Sequence, residues 1–347
     1  MMSNKRFGKL LLIAIATALL IIAQTGCGRN TETLREPLRK EGFYLDTFCS
    51  ITIYAVGEGA DASEVMDGAF LLCQDYEKML SKTIEGSDVW KINHSEGEGV
   101  ECNPETIQVI EKGIRYGDLS SGAFDIAIGR ITELWDFHAV EPQVPDSEQL
   151  ELALSHVNWQ LVNVDGNKVT LGDPEMKLDL GGIAKGYIAD KMSDYLISSG
   201  VTGAVVDLGG NISVIGHKDG STGNQEVKVG IRKPFSQSGE LASTIPLHDA
   251  SVVTSGTYER FIEVNGKTYH HILDPRTGYS AESELTSISV VGPLYTSCDC
   301  DALATTILLM GTEWAETLAS SEEFSEFSFL LIFQDGTQRW LGKNNYS

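Results

Sequence analysis

The sequence is short of positive charge. It carries 26 Lys and Arg against 49 Asp and Glu in 347 residues, a formal net charge of −23. Such a surface repels nucleic acid and anionic lipid headgroups, so no nucleic-acid partner is expected. Cysteine is scarce too. Cys27, Cys49, Cys73, Cys102, Cys298 and Cys300 do not form a disulfide framework for a chain of this size. Cys298-Asp299-Cys300 is tighter than zinc-knuckle spacing and has no second CxxC or His pair beside it. It reads as incidental, with a redox or metal role as the alternative. Neither GxGxxG nor a P-loop is present, which removes the two standard nucleotide motifs. Beyond the first 26 residues no apolar run is long enough to cross a bilayer.

The start of the chain is different. Lys5, Arg6 and Lys9 precede an apolar run from Leu10 to Ala23 that only Thr17 interrupts. That pattern fits a signal peptide better than a membrane span. Thr25-Gly26-Cys27 then resembles a bacterial lipobox, with Gln24 where an aliphatic is usual. The expectation is a signal peptide over 1–26, a lipidated Cys27, a polar tether over 27–41 and one folded domain over 42–347. The protein would sit on the outer side of a bacterial cell membrane, held by its lipid. Ordinary cleavage and an uncleaved anchor are the alternatives. Without residues 1–26 the charge is −26, from 23 Lys and Arg against 49 Asp and Glu. An acidic protein that handles a phosphorylated ligand needs local cations or a metal.

Lys177–Asp190 (KLDLGGIAKGYIAD) fits that need. Met176, Leu178 and Leu180 alternate with Lys177 and Asp179 as in a strand. Gly181 and Gly182 break it, and Ile183, Ala184, Tyr187, Ile188 and Met192 recur at helical spacing. A strand, a glycine turn and a helix start present backbone N–H groups and a favourable dipole to an anion, with Lys185 adding charge. Taken alone, the stretch is equally an ordinary strand-to-helix connection.

Elsewhere, Phe43–Val56 has strand composition, and Ala62–Leu80 is an amphipathic helix. A second helix opens at Asn103-Pro104-Glu105 and runs to about Leu119. Ser121-Gly122-Ala123-Phe124-Asp125 offers small residues, a ring and a carboxylate. Val206-Asp207-Leu208-Gly209-Gly210 echoes Leu178–Gly182. Strands over 161–171, 203–208, 227–232, 243–247, 251–254 and 261–264 dominate the second half, which points to an α+β fold rather than a doubly wound sheet.

Two C-terminal stretches carry chemistry. In Tyr269–Gly278 (YHHILDPRTG) the adjacent His270 and His271 alternate faces of a strand, so one of them can face a given site. Arg276 in the following turn can pair with a carboxylate or a phosphate. In Asp299–Thr306, Asp301 and Thr305 share a helix face. A carboxylate and a hydroxyl there suit a hard cation such as Mg²⁺, or simply a helix start and a back-bonded threonine.

SGAFD, LDLGGIAKGYIAD, SVVTSGTYERF, YHHILDPRTG and DALATT, in that order, resemble the ApbE family of FAD:protein FMN transferases from about Phe43 onward. The resemblance implies an ApbE-type fold with mixed or antiparallel sheets, packed helices and a flavin site between lobes. It implies FAD as substrate and transfer of FMN to a Thr or Ser hydroxyl of an acceptor protein, with release of AMP and a need for Mg²⁺. Acceptors of the family are membrane redox subunits and extracytoplasmic flavoproteins. The implied metal ligands are the Gly182 carbonyl and the side chains of Asp301 and Thr305, with Asp299 nearby. Flavin contacts fall to Leu45, Ala123, Phe124, Asp125, Asp179, Lys185 and Ile272. His271 is the expected base. Lys82-Thr83 stands where the family carries a flavin-stacking aromatic, which leaves Trp90 or Phe124 for that role. Hydrolysis of FAD to FMN and AMP, or flavin binding without turnover, are the alternative activities.

Overall fold

The computed structural model describes residues 31–137, 139, 142–220, 225–236 and 239–344. The signal segment and Cys27 lie outside them. Eight strands build one antiparallel sheet in the order β1 (Thr31–Tyr44), β2 (Thr47–Gly57), β6 (Val201–Leu208), β7 (Asn211–Gly216), β10 (Ala250–Gly256), β13 (Leu285–Pro293), β14 (Ser328–Phe333), β15 (Gln338–Gly342). Three small sheets accompany it: β3 (Val100–Glu101) with β5 (Lys168–Leu171) and β4 (Val162–Asp165), the hairpin of β8 (Val227–Arg232) and β9 (Leu241–Leu247), and the hairpin of β11 (Phe261–Val264) and β12 (Lys267–His270). The expected α+β class holds.

Neighbouring residues of the central strands feed two different cores, as a period of two requires. Val253, Ile288, Val290, Phe329 and Leu331 enter the larger core. Val252, Val291, Leu330 and Ile332 enter a second one under the β8–β9 hairpin. Helices cover the first face: α1 (Ala62–Leu80), α6 (Ala184–Ser198) and α7 (Ser297–Met310). Asp61 caps α1 by accepting the N–H groups of Ser63 and Glu64, and Val65, Met66, Ala69, Phe70, Cys73 and Tyr76 are buried along its inner stripe. The other helices are α2 (Asp88–Asn93), α3 (Pro104–Leu119), α4 (Gly129–Trp135), α5 (Ser147–Leu154) and α8 (Thr312–Ala319).

Two expectations change. Residues 31–41, expected as part of a tether, are built into β1, and Leu38–Tyr44 pair in register with β2. A charged edge strand needs few apolar residues; here Leu34 and Leu38 reach the core. Met176–Leu180, expected as a strand, makes one isolated bridge, between Lys177 and Ile128.

Helices α6 and α7 meet at Gly186. A Cβ there would lie 2.7 Å from Cys298 Cα and against the Ser297 carbonyl. Asp190 of α6 accepts the N–H groups of Ser297 and Cys298 at 2.9 and 3.0 Å, and so caps α7 from another helix. Gly186→Ala gains helix propensity but overpacks this crossing, with a net loss of about 2 kcal/mol. A lower thermal midpoint is expected; an unchanged or higher one would show that the two helices yield at no cost.

Candidate active site

The glycine turn is held from both sides. The Asn93 side chain accepts the Leu178 N–H at 2.7 Å and donates to the Leu178 carbonyl at 2.9 Å. It thereby stands in for a second strand on the edge away from residues 126–129. Asp179 accepts the Gly181 N–H at 2.8 Å, the Thr132 hydroxyl at 2.7 Å and the Lys82 ammonium at 2.8 Å. Burial opposes its charge, but these partners hold its carboxyl below the usual range. At the start of α6, Leu180 O takes the N–H groups of Ile183 and Ala184. The amides of Gly182 and Lys185 are left without a partner among the described residues.

The three expected metal donors are neighbours. Asp301 is 2% exposed; its Oδ2 accepts the Gly186 N–H at 2.9 Å, and Lys185 Nζ lies 4.0 Å from its Oδ1. A Cβ on Gly182 would stand 3.6 Å from Thr305 Oγ1 and 3.1 Å from the Phe124 ring. Thr306 back-bonds to the Ala302 carbonyl at 2.6 Å, whereas the Thr305 hydroxyl makes no hydrogen bond among the described residues. A buried carboxylate with one oxygen uncommitted to a hydrogen bond, an unspent hydroxyl and a backbone carbonyl form an all-oxygen set, and that chemistry fits Mg²⁺. Among the described residues no three His, Cys, Asp or Glu side chains gather as metal ligands, so the set rests on a single carboxylate.

Lys185 also faces a second group of residues. It lowers His271 and Glu259 electrostatically, and Arg260 does the same. The Arg260 carbonyl accepts both the backbone N–H of His271, at 3.1 Å, and its ring Nδ1–H, at 3.2 Å. The carbonyl can only accept, so Nδ1 carries the proton and Nε2 has a bare lone pair. Burial, with Arg260 and Lys185 nearby, pushes the imidazole down to about 3. Glu259 is accessible yet crowded by protein atoms, and that crowding raises its carboxyl to about 7. His270 points elsewhere and donates from Nε2 to the Ala281 carbonyl at 3.1 Å. The two rings therefore have different partners, although β12 ends at His270 and His271 lies just beyond it rather than on the opposite face of the strand.

The remaining expected flavin positions flank these groups. Asp125 accepts the N–H groups of Ala127 and Trp159 at 2.7 and 3.1 Å, and burial raises it to about 6. Ala123 and Phe124 are buried beside it, and the Phe124 ring abuts Gly182. Leu45 has φ 55° in the β1–β2 turn and donates its N–H to Glu77 at 2.7 Å. The next carbonyl, of Asp46, accepts from Arg260 at 2.9 Å. Ile272 is buried next to His271 and accepts the Ala281 N–H. Trp90 already stacks on His94 at 4.1 Å, so Phe124 is the aromatic found at the glycine turn.

Some candidates lie elsewhere. Asp299 is spent on Lys112 and on the Tyr116 hydroxyl of α3, both within 2.9 Å. Arg276 pairs with Asp274 of its own turn at 2.7–2.8 Å. Cys298 and Cys300 are buried, with their thiols pushed far up by burial. The echo turn is also closed by its aspartate, but on the second glycine, Gly210 N–H to Asp207 at 3.0 Å, and it packs against Thr47 and β10. Sequence reasoning missed Asn93, Glu259 and Arg260. The last two stand in the YERF part of a quoted motif, which was the only signal for them.

The depressed His271 fixes a sign. An unfolded imidazole takes a proton near 6.5 and the folded one does not, so this group adds stability above that pH and loses it as pH falls toward 3. His271→Gln removes that loss. Urea midpoints at pH 7.5 and 5 should differ less in the variant than in the parent; an equal difference would refute the neutral, buried imidazole.

Turn, lysine and oxygen donors stand together in an α+β fold, with the chemistry that a phosphate and a hard cation require. The sequence model of the ApbE family matches residues 45–328, and the chain belongs to that family. It is 33% identical over 335 residues to the FAD:protein FMN transferase of Treponema pallidum, covering 92% of this chain and 91% of that protein. A Klebsiella pneumoniae protein of the same name is 37% identical over 247 residues, covering 70% and 75%. Among solved structures, the ApbE protein of Thermotoga maritima superposes with a TM-score of 0.78 at 30% identity, over 89% of this chain and 97% of that one. The flavin transferase ApbE of Vibrio cholerae gives 0.76 at 26%, over 89% and 98%.

Proposed function

We propose that this protein transfers FMN from FAD to a Ser or Thr hydroxyl of an acceptor protein and releases AMP. The observation that carries this reading is the union, around Lys185, of a glycine turn with free amides, an all-oxygen donor set and an imidazole with a bare Nε2. The amides of Gly182 and Lys185, with the Lys185 ammonium, bind the pyrophosphate. Phe124 and Ile272 supply apolar walls for the flavin. Gly182 O, Asp301 and Thr305 would hold Mg²⁺, which when bound neutralises charge developing on the phosphates.

The acceptor oxygen forms a bond to the FMN phosphorus as the bond from that phosphorus to the AMP oxygen breaks. His271 Nε2 takes the hydroxyl proton. An imidazole near 3 is a weak base. The pyrophosphate offsets Lys185 and Arg260, two of the groups that depress it, and so raises its basicity when FAD is bound. Membrane redox subunits and extracytoplasmic flavoproteins are the acceptors to try first.

Mass analysis of an acceptor incubated with the protein, FAD and Mg²⁺ tests the reaction. A covalent FMN adduct is expected; FMN and AMP without an adduct indicate hydrolysis, and intact FAD indicates binding alone. Asp301→Ala should abolish turnover. His271→Ala should slow single-turnover transfer by about 10²–10⁴-fold while FAD still binds. Full activity of Asp301→Ala at low Mg²⁺ would remove that residue from the donor set.

We also propose that Cys27 is lipidated and anchors the domain outside the cytoplasm, on the support of the basic start, the short apolar run and Thr-Gly-Cys. Cys27→Ser should appear as released soluble protein. Equal membrane retention would rule the anchor out.

A further inference from the structure

Most large apolar side chains are buried, and the exposed phenylalanines are not scattered. Phe43, Phe48, Phe235 and Phe261 are 62%, 79%, 68% and 49% exposed. Each neighbours a residue of the site or one bonded to it. Phe43 and Phe48 are cross-strand partners on either side of the Leu45-Asp46 turn, with rings 5.5 Å apart, and Asp46 is bonded to Arg260. Phe261 directly follows Arg260 and pairs across its hairpin with His270, the neighbour of His271. Phe235, at φ 56° in the β8–β9 loop, packs its ring 5.8 Å from Tyr258, which precedes Glu259. Four exposed rings thus come from three separate hairpins, and all stand beside residues of one site.

Exposed aromatic surface of this kind marks a place where something docks. FAD does not account for it, because the residues expected to meet the flavin are buried or half-buried, whereas these rings are exposed. The second substrate does. A Ser or Thr hydroxyl can reach His271 Nε2 only if the polypeptide carrying it lies over the surface beside Arg260 and the hairpins that hold these rings. Rings on such a surface recognise apolar side chains, and aromatic residues dominate binding energy at protein interfaces.

We propose that Phe43, Phe48, Phe235 and Phe261 form the acceptor-docking rim, and that the rim selects a Ser/Thr segment flanked by apolar residues. This rests on the transferase reading above. The rim sets acceptor affinity and leaves FAD affinity alone.

Two synthetic peptides test it, each with one central Thr, one flanked by Leu and Ile and the other by Gly and Ser. Binding to the FAD-loaded protein is read by peptide anisotropy, and FMN transfer is read separately by mass. The parent should bind the apolar peptide at least about tenfold more tightly than the polar one. Phe43→Ser/Phe48→Ser, and independently Phe235→Ser, should erase most of that preference, while Phe43→Leu/Phe48→Leu keeps it. FAD affinity and thermal midpoint report that the variants are intact. Equal affinity for the two peptides, no binding of either, or an unchanged preference in the Ser variants would overturn the rim. A second copy of the chain on this surface, seen as dimerisation that the Ser variants abolish, would overturn it too. A preference that depends on the rim, without any FMN adduct, would leave the rim standing and refute the transferase reading.

Discussion

The crossing of α6 and α7 is the constraint on which the site depends. Gly186 lets the helices approach until its N–H reaches Asp301. Asp190, one turn further along α6, caps α7. The two contacts fix the register of one helix on the other. That register sets Gly182 against Thr305 and Lys185 against Asp301. A larger residue at 186 disturbs packing and donor geometry together, because one contact surface serves both.

A second layer of bonds holds the polypeptide that feeds this crossing. Residues 126–129 pair with one edge of this segment, and the Asn93 amide satisfies the Leu178 backbone on the other. Asp179 then ties the turn to α4 through Thr132 and to the loop after α1 through Lys82. The Lys82 ammonium is spent on Asp179 and the Thr132 hydroxyl, and the ring against the glycine turn is that of Phe124.

Part of this was legible in the sequence. The span of α1, the glycine turn and the helix after it fall where the pattern puts them, though the buried face of α1 is turned toward Met66, Phe70, Cys73 and Leu80. Asp301 and Thr305 share a face because they are four apart. Strands β13 and β14 were not legible, since they are buried on both sides and show an apolar run without alternation. Strand β1 was missed for the opposite reason: its edge position leaves it charged and mostly exposed. Asn93 and Arg260 act through long-range bonds, across 85 residues to Leu178 and 214 residues to Asp46, and no local pattern encodes those.

The electrostatics of the site follow from the same economy. In a chain of net charge −23, a phosphorylated ligand gains nothing from the overall field. The cations at the site are already shared: Lys82 with Asp179, and Lys185 near Asp301 and Glu259. What is left uncommitted is neutral, namely two backbone amides, the Thr305 hydroxyl and the uncharged His271. Neutral donors and acceptors fixed by the fold cost little to reorganise as charge moves between phosphate and leaving group. An acidic protein can therefore handle a pyrophosphate without a basic surface, provided that the helix crossing keeps those groups in place.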